Sequence, residues 1–465
     1  MMLDAQGRSQ QGPLLLSDGR VVATGEKATQ LSRSAPLAQG LRRIRLPGCI
    51  LVPGFANAHS HAFQRALRGR VETRQKTAPH DDFWSWRHEM YRIALTLDLD
   101  AVEAVATWCY ADMVRAGFVS VGEFHYLHHD TAGQRYADPA AVSARLARAA
   151  QRAGVRLVLL QCAYERAGWG QQAHPEQRRF IFPDVKEFLQ FCDDIRSGLP
   201  FTGTGHASFP DLRHGFALHS VRACSGEWLE AVSEAARGLD LPLHIHACEQ
   251  PAELKACQSA EGMGPIAFLS SCGALHSRTT LVHATHVSQS DIQLMVDGQT
   301  HICLCPSTER NLGDGLAPIL DFQRAGIPVC VGTDSHARID ALDELRSLEE
   351  HERVRLLRRN VLAAPGESPA PALLHAGCIA GAQSLGLSAP GIEPGAPADF
   401  VAFTIPPESM GSAERAFDAL WVAGNARSDV HTVIVAGSCV YERSVGQQAI
   451  LDPILPTLRR VLESL

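Results

Sequence analysis

The chain has 465 residues, a length that suits either about three average domains or one (β/α)8 barrel with a smaller companion. Acidic residues number 50 against 43 basic ones, and the net charge of −7 argues against a protein that binds nucleic acid through a broadly basic surface. Apolar residues make up 45% and charged residues 20% of the chain, which excludes extensive disorder.

The amino-terminal end and the cysteines indicate where the protein works. No stretch approaches the roughly 18 apolar residues that cross a membrane, and the first dozen residues lack the apolar core of a signal peptide. The 13 cysteines are an odd number and form no CxxC pair, a pattern typical of reduced thiols. We therefore expect a cytoplasmic protein with neither a membrane nor a nucleic-acid partner.

Both ends of the chain contain short strand-like runs separated by Gly and Asp turns. The predicted strands are Pro13–Leu16, Arg20–Thr24, Arg43–Pro47 and Ile50–Val52 at one end, and Ala398–Phe403, Val430–Val435 and Cys439–Tyr441 at the other. We predict a small β-sandwich domain formed from both termini, residues 1–52 with 393–450, and a C-terminal helix over 451–465.

The middle of the chain, residues 53–392, alternates short apolar runs with longer helical patterns. The eight predicted strands are Gly54–Ala58, Val119–Phe124, Val155–Cys162, Gly215–Leu218, Leu241–Ile245, Thr279–Val282, His301–Cys305 and Pro328–Gly332. Eight βα units predict an α/β fold of the (β/α)8 TIM-barrel type, with an open doubly wound sheet as the alternative. A barrel requires the chemistry to lie just beyond the carboxyl ends of the strands.

Histidine or an acidic residue follows at least five of these strands. The candidates for metal binding are His59 and His61 after the first strand, His246 after the fifth and Asp334 after the eighth. Three imidazoles and a carboxylate are ligands that Zn²⁺ favours, and a position left open for water would complete a hydrolytic site. We predict one divalent metal ion, with Zn²⁺ ahead of Fe²⁺ and Ni²⁺, which accept the same donors.

These segments resemble the motifs of the amidohydrolase superfamily. The resembling segments are Pro53–His61, His246–Glu249, His283, Gly332–Ser335 and, near the carboxyl terminus, Gly395–Val401. Binuclear members usually carry a carbamylated lysine after strand four, where this chain has His219. The four lysines, Lys27, Lys76, Lys186 and Lys255, all lie elsewhere. Together with Glu249, a mark of the mononuclear deaminases, this departure implies a single metal ion.

Four longer segments are similar to the formimidoylglutamate deiminases of histidine degradation, namely His59–Ala66, Phe83–Tyr91, Glu123–Asp130 and His219–Arg222. The resemblance implies a homodimer that hydrolyses N-formimidoyl-L-glutamate to N-formyl-L-glutamate and ammonia. The substrate-recognition positions that it implies are Gln64, Arg87, Tyr126, His219 and Arg222.

The resemblance also implies three catalytic residues. Asp334 would take the proton of the attacking water, Glu249 would carry protons to the leaving nitrogen, and His283 would hydrogen-bond the water or the tetrahedral centre. The substrate would be a small dicarboxylate amidine, and arginine binds carboxylates through its bidentate fork, which favours Arg222 and then Arg87. The segment Ala337–Asp340 carries more charge than the family's small polar residues, so its part in carboxylate recognition stays open.

Two other functions are weighed against this one. The first is another mononuclear deaminase, of the guanine or aromatic type, whose pocket recognises a ring. The second is a non-catalytic scaffold on a decayed barrel, against which the complete ligand set argues. Elsewhere we interpret Trp84, Trp86 and Tyr91 as core or interface aromatics, and the charge-dense run Glu349–Arg359 as a solvated helix face.

Overall fold

A computed structural model describes residues 1–33, 42–73, 82–200, 212–405 and 411–465. In chain order its strands are β1 (Met2–Leu3), β2 (Ser9–Gln10), β3 (Leu14–Ser17), β4 (Arg20–Thr24), β5 (Cys49–Pro53), β6 (Phe55–Ser60), β7 (Phe118–His125), β8 (Arg156–Ala163), β9 (Leu212–Ser220), β10 (Leu243–Ala247), β11 (Thr279–His283), β12 (His301–Leu304), β13 (Val329–Val331), β14 (Phe400–Thr404), β15 (Val430–Val435) and β16 (Ser438–Glu442).

Helices fill most of the remaining chain. The α-helices are Gly25–Ser32, Phe83–Ala94, Leu99–Arg115, Ala141–Ala153, Val185–Gly198, Gly226–Gly238, Pro251–Glu261, Pro265–Ser271, Gln289–Asp297, Pro306–Leu312, Ile319–Arg324, Ala341–Leu356, Ala370–Leu374, Gly381–Ser384, Ala413–Ala423, Ala426–Asp429, Gln448–Leu451 and Leu455–Ser464. Short 3-10 turns occur at Ala62–Leu67, Pro175–Gln177 and Asp452–Ile454, and a π-helical turn at His375–Ala380.

Strands β6 to β13 form one sheet in which each strand is parallel to its sequence neighbours. Strands β7, β8 and β10 are buried along their whole length, as expected when helices cover one face of a parallel sheet and side chains fill the other. All eight predicted barrel strands are confirmed, and so is the (β/α)8 fold class.

The sheet closes between its last and first strands. The amides of Thr333 and Asp334, just beyond β13, donate to the carbonyl of His59 at 3.1 and 3.0 Å, and the amide of His61 donates to the carbonyl of Asp334 at 3.1 Å. Gly332 permits this approach, since a Cβ there would lie 2.7 Å from the Cβ of His59. The closure brings the carboxyl ends of the first and last strands into direct contact.

Both termini contribute to a separate sheet with the order β16-β15-β14-β5-β1-β2, and the β3–β4 hairpin packs on it through Leu14 and Leu16. This two-layer arrangement confirms a small β unit made from both ends of the chain. The predicted strand Arg43–Pro47 is wrong. That segment is mostly exposed, and in the described part of the chain no strand pairs with it. The boundaries 1–52 with 393–450, 53–392 and 451–465 stay a proposal.

The prediction of a solvated helix face over Glu349–Arg359 is wrong in part. Most of the run belongs to the helix Ala341–Leu356, where Glu350 is exposed but Glu349 and Glu352 are fully buried. The carboxylate of Glu349 accepts the amides of Val361 at 3.0 Å and Leu362 at 2.9 Å, and pairs with Arg353 at 2.6 Å. The charge thus ties the helix to the loop that follows it. Among the described residues, no helix combines the length and apolar character needed to span a membrane.

Candidate metal centre and active site

Four side chains converge at the mouth of the barrel. One donor atom from each of His59, His61, His246 and Asp334 lies within 4.8 Å of the other three. Nε2 of His246 is 3.1 Å from Nε2 of His59 and 3.4 Å from Nε2 of His61, and Oδ1 of Asp334 is 3.3 Å from each of those two nitrogens. The four predicted metal ligands therefore form one compact set.

The spacing fits a tetrahedral divalent cation. Zn²⁺ binds imidazole nitrogen and carboxylate oxygen at about 2.0–2.2 Å, which puts neighbouring donors about 3.3–3.6 Å apart around the ion. Nδ1 of His61 bonds the carbonyl of Phe124 at 2.8 Å, and Nδ1 of His246 bonds the carbonyl of His219 at 2.7 Å. Since these bonds require Nδ1–H, the two Nε2 lone pairs are left for a cation.

Electrostatics keep the three imidazoles neutral. Burial, reinforced by the neighbouring histidines, lowers the pKa of His59 and of His246 well below the usual value. Burial also lowers the pKa of His61, against the opposing attraction of Asp334. Neutral imidazole is the form that binds metal ions, so the donor set is held in the protonation state that a divalent cation requires.

His283, at the end of β11, lies between carboxylates. Nε2 is 3.5 Å from Oε1 of Glu249 and 4.0 Å from Oδ2 of Asp334, and Nδ1 is 3.2 Å from Oε1 of Glu309. Burial by itself would lower the pKa of His283, but Glu249, Glu309 and Asp334 raise it to about 10. The three predicted catalytic residues thus meet beside the metal ligands.

Three acidic residues near this group were missed by the sequence analysis. Glu309 lies in the helix Pro306–Leu312, Asp314 follows that helix, and Glu253 lies one turn beyond Glu249. Burial raises the pKa of Glu253 to about 7 and, with the charge of Glu249, that of Asp314 to about 9. The available sequence signal was position alone, because Glu309 follows the predicted strand His301–Cys305 and Glu253 follows Glu249 by four residues.

The predicted substrate-binding residues line a cavity of about 40 Å³ beside the metal ligands. They are Gln64, Arg87, Tyr126, His219 and Arg222, and Glu249, His283 and Asp334 line the same space. Nε2 of Gln64 donates to the hydroxyl of Tyr126 at 2.9 Å, and Oε1 of Gln64 is buried without a partner among the described residues. All the site residues inferred from the sequence therefore fall in one region.

Arg87 and Arg222 form the cationic side of this cavity. Both guanidinium groups lie over the ring of Trp84, 5.5 and 5.4 Å from its centroid, within the range of a cation–π contact. Arg87 donates to the hydroxyls of Tyr91 and Tyr164, the latter at 3.2 Å. Trp84 is 40% exposed and lines an outer chamber, so it is not a core residue as predicted.

The two arginines also line an outer chamber of about 550 Å³ with Trp84 and Trp169. The charged residues of the segment Ala337–Asp340 do not line either space. Asp340 caps the helix that follows by accepting the amide of Asp343 at 3.0 Å, and Arg338 pairs with Asp343 at 3.0 Å. These contacts give Arg338 and Asp340 structural roles at the start of that helix.

A network of buried hydrogen bonds surrounds the segment that carries His59 and His61. The hydroxyl of Ser60, between the two histidines of the first strand, donates to Glu123 at 2.6 Å and lies 3.1 Å from Nε2 of His336. Glu123 also accepts the amide of Ala62 at 2.7 Å. These buried bonds fix the backbone on both sides of His61.

Comparison with known proteins gives a family and related enzymes. The amidohydrolase family matches residues 50–440. The chain is 37% identical to the formimidoylglutamate deiminase of Pseudomonas aeruginosa, over 90% of this chain and 91% of that protein. It is 26% identical to a 5-methylthioadenosine/S-adenosylhomocysteine deaminase of Nitratidesulfovibrio vulgaris, over 93% of this chain and 88% of that protein.

Solved structures agree with the fold. An amidohydrolase from Brucella melitensis superposes with a TM-score of 0.86 at 34% identity and covers 100% of this chain and 98% of its own. An adenosine deaminase from Xanthomonas campestris with bound zinc superposes with a TM-score of 0.78 at 20% identity, over 100% and 97% of the two chains. At that identity the second comparison shows the shared fold alone.

Proposed function

The chain belongs to the amidohydrolase family, and from that premise we propose that it removes ammonia by hydrolysis from N-formimidoyl-L-glutamate. Water adds to the formimidoyl carbon, the bond from that carbon to the terminal nitrogen breaks, and N-formyl-L-glutamate and ammonia leave. A hydrolase acting on C–N bonds agrees with the 37% identical deiminase.

The observation that carries the proposal is the two-sided character of the cavity. Arg87 and Arg222 line this cavity and also the outer chamber, whereas Glu249, His283 and Asp334 line only the cavity, next to the metal ligands. A molecule with carboxylates at one end and a cationic amidine at the other matches that distribution of charge. A neutral purine ring would leave the two buried guanidinium groups without an anionic partner, which is unfavourable.

His59, His61, His246 and Asp334 would hold one divalent cation, with Zn²⁺ as the first choice. When bound, such an ion supplies a water whose pKa is lowered to about 7, so that a nucleophile is available at neutral pH. The fit rests on donor spacing and on neutral imidazoles. Zinc is also the metal bound in the structural relative from Xanthomonas campestris.

The proton transfers would use the carboxylates around His283. Asp334 can accept the proton of the water while its other oxygen stays with the ligand set. Glu249, whose pKa is raised by burial, can hold a proton near the cavity and pass it to the leaving nitrogen. His283, fixed by Glu309 on its other side, can donate from Nε2 to the oxygen of the tetrahedral centre.

Substrate orientation would come from the two arginines and Gln64. Arg222 and Arg87 can each bind a carboxylate, and the ring of Trp84 beneath both guanidinium groups limits their movement. Gln64 offers Oε1 as an acceptor for an N–H of the substrate, since that oxygen has no partner among the described residues. We expect a cytoplasmic homodimer that acts on this small molecule, with no nucleic-acid or membrane partner.

The test is ammonia release by the zinc-loaded protein from three compounds at equal concentration: N-formimidoyl-L-glutamate, guanine and 5-methylthioadenosine. We expect turnover of the first compound and at least about 10³-fold lower kcat/KM for the other two, because an unpaired buried charge strongly disfavours the wrong ligand. Faster turnover of either purine would overturn the proposal and establish an aromatic deaminase. Absence of turnover on all three, with metal bound, would reject the deaminase activity.

A further inference from the structure

A second group of metal-ligating side chains shares His283 with the active site. One donor atom from each of His283, Cys305 and Glu309 lies within 4.8 Å of the other two, and all three residues are buried. The cysteine distinguishes this group from the His59, His61, His246 and Asp334 set, which contains only nitrogen and oxygen donors. The reaction proposed above gives no role to Cys305.

Cys305 and Glu309 are fixed by the same turn. Cys305 follows β12 and is the N-cap of the helix Pro306–Leu312, and its amide donates to Oε1 of Glu309 at 2.8 Å. The same oxygen lies 3.2 Å from Nδ1 of His283. Two of the three donors therefore belong to one rigid element, and the third already contacts it.

The spacing is close to what a bound cation needs. Zn²⁺ binds thiolate at about 2.3 Å and imidazole or carboxylate at about 2.0–2.2 Å, so neighbouring donors lie about 3.3–3.7 Å apart. The 3.2 Å separation of His283 Nδ1 and Glu309 Oε1 is near that range, and the sulfur of Cys305 lies within 4.8 Å of a donor atom of each.

The surroundings favour a cation and disfavour a free thiolate. Burial, with the negative charges of Asp334 and Glu309 nearby, raises the pKa of Cys305 well above its usual value. In the absence of a cation the thiol stays protonated. The same carboxylates would attract a divalent ion into this apolar layer, and thiolate ligation would compensate its charge.

We infer that His283, Cys305 and Glu309 form a second binding position for a thiophilic divalent cation such as Zn²⁺, Cd²⁺ or Co²⁺. On binding, the thiol of Cys305 and Nδ1 of His283 each lose a proton to solvent, and the ion gains bonds to sulfur, nitrogen and a Glu309 oxygen. The ion replaces the hydrogen bond between His283 and Glu309, so an excess of such cations inhibits the reaction. The site itself does not depend on the proposed substrate.

Titration with Co²⁺ tests binding at this second position alone. The full-length protein is loaded with one equivalent of Zn²⁺, which has no visible spectrum, and is then titrated with Co²⁺. We expect one further equivalent of Co²⁺ to bind and to produce a near-ultraviolet sulfur-to-cobalt charge-transfer band. The first ligand set cannot give this band, because it contains no sulfur.

Two variants complete the experiment. Cys305→Ser should abolish the band, whereas Cys303→Ser, which removes a buried thiol two residues earlier in β12, should keep it. Retention of one bound Zn²⁺ by both variants checks that the barrel mouth is intact. A band that survives in Cys305→Ser, or no band in the unaltered protein with two equivalents of metal, overturns the inference. The readout needs no substrate, so its failure is distinct from failure of the proposed deaminase activity.

Discussion

Oε1 of Glu309 lies 3.2 Å from Nδ1 of His283 and also accepts the amide of Cys305 at 2.8 Å. The carboxylate therefore joins the end of β11 to the turn after β12 and sets which ring nitrogen of His283 faces the cavity. A carboxylate that binds one ring nitrogen of a functional imidazole fixes the orientation of the ring and determines which nitrogen carries the proton. Such partners affect activity although they do not touch the substrate.

Replacing that carboxylate tests its positioning role. We expect Glu309→Gln to lower kcat about 10- to 100-fold with a smaller change in KM, because the side chain keeps its size but loses the charge that holds His283 protonated. Steady-state ammonia release measures both constants. Glu350→Gln on the exposed side of the helix Ala341–Leu356 is the control and should match the unaltered protein. An equal kcat for Glu309→Gln would show that His283 does not need this partner.

Asp334 is expected to serve both the cation and the proton transfer. Asp334→Asn keeps the shape but cannot accept a proton, so kcat should fall by about 10²- to 10⁴-fold. Circular dichroism should remain unchanged, since the backbone amides that close the barrel are not altered. Metal analysis should show weaker zinc retention after dialysis against a chelator. Near-normal ammonia release by this variant contradicts the mechanism.

Arg222 is expected to act in binding and not in the chemical step. Arg222→Gln should raise KM for N-formimidoyl-L-glutamate about 30-fold or more, equivalent to about 2 kcal/mol, because one substrate carboxylate loses its cation. The kcat should change much less. Arg338→Gln, on an exposed arginine that pairs with Asp343 outside the cavity, is the matched control. A larger effect on kcat than on KM would assign Arg222 to catalysis.

Stability should depend on pH through Glu344. Burial raises the pKa of this carboxyl from 4.5 to about 8, although Oε2 accepts the amide of Ser307 at 3.0 Å. The native chain then keeps a proton that the unfolded chain releases, so this group lowers the free energy of unfolding as pH rises from about 5 to about 8.

The variant Glu344→Gln carries no titrating group at this position. Relative to it, the unaltered protein should lose stability with a slope of up to about 1.4 kcal/mol per pH unit in that window, measured by urea unfolding. Glu367→Gln, an exposed acid, should follow the unaltered protein at every pH. A constant difference between Glu344→Gln and the unaltered protein from pH 5 to 8 is incompatible with the assignment.

Sequence reasoning recovered the features that repeat along the chain. The eight barrel strands are short apolar runs with clear boundaries, and the residues at their ends could be assigned to one mouth because parallel strands in a barrel share a direction. His59, His61, His246 and Asp334 were found in this way, and the structure brings them together. Their catalytic and binding roles stay a prediction until the variants are measured.

Features that depend on contacts between distant segments were not predictable. Glu309 reads as an ordinary acid in the first turn of a helix, and its contact with His283 exists only once β11 and β12 pair. Glu349 was assigned to a solvated face because its neighbours in sequence are charged. Its buried carboxylate accepts the amides of Val361 and Leu362, and no local sequence pattern indicates these contacts.

The seam between β13 and β6 makes the set of metal ligands a long-range feature of the chain. Its residues are far apart in sequence, as in the hydrogen bond between Asn57 and Thr333 across 276 positions. Because Asp334 lies just beyond β13, the fourth donor joins the three histidines only when this seam has formed. Bringing the ends of so long a segment together costs chain entropy. Binding of a divalent cation by all four donors would therefore also stabilise the closed barrel.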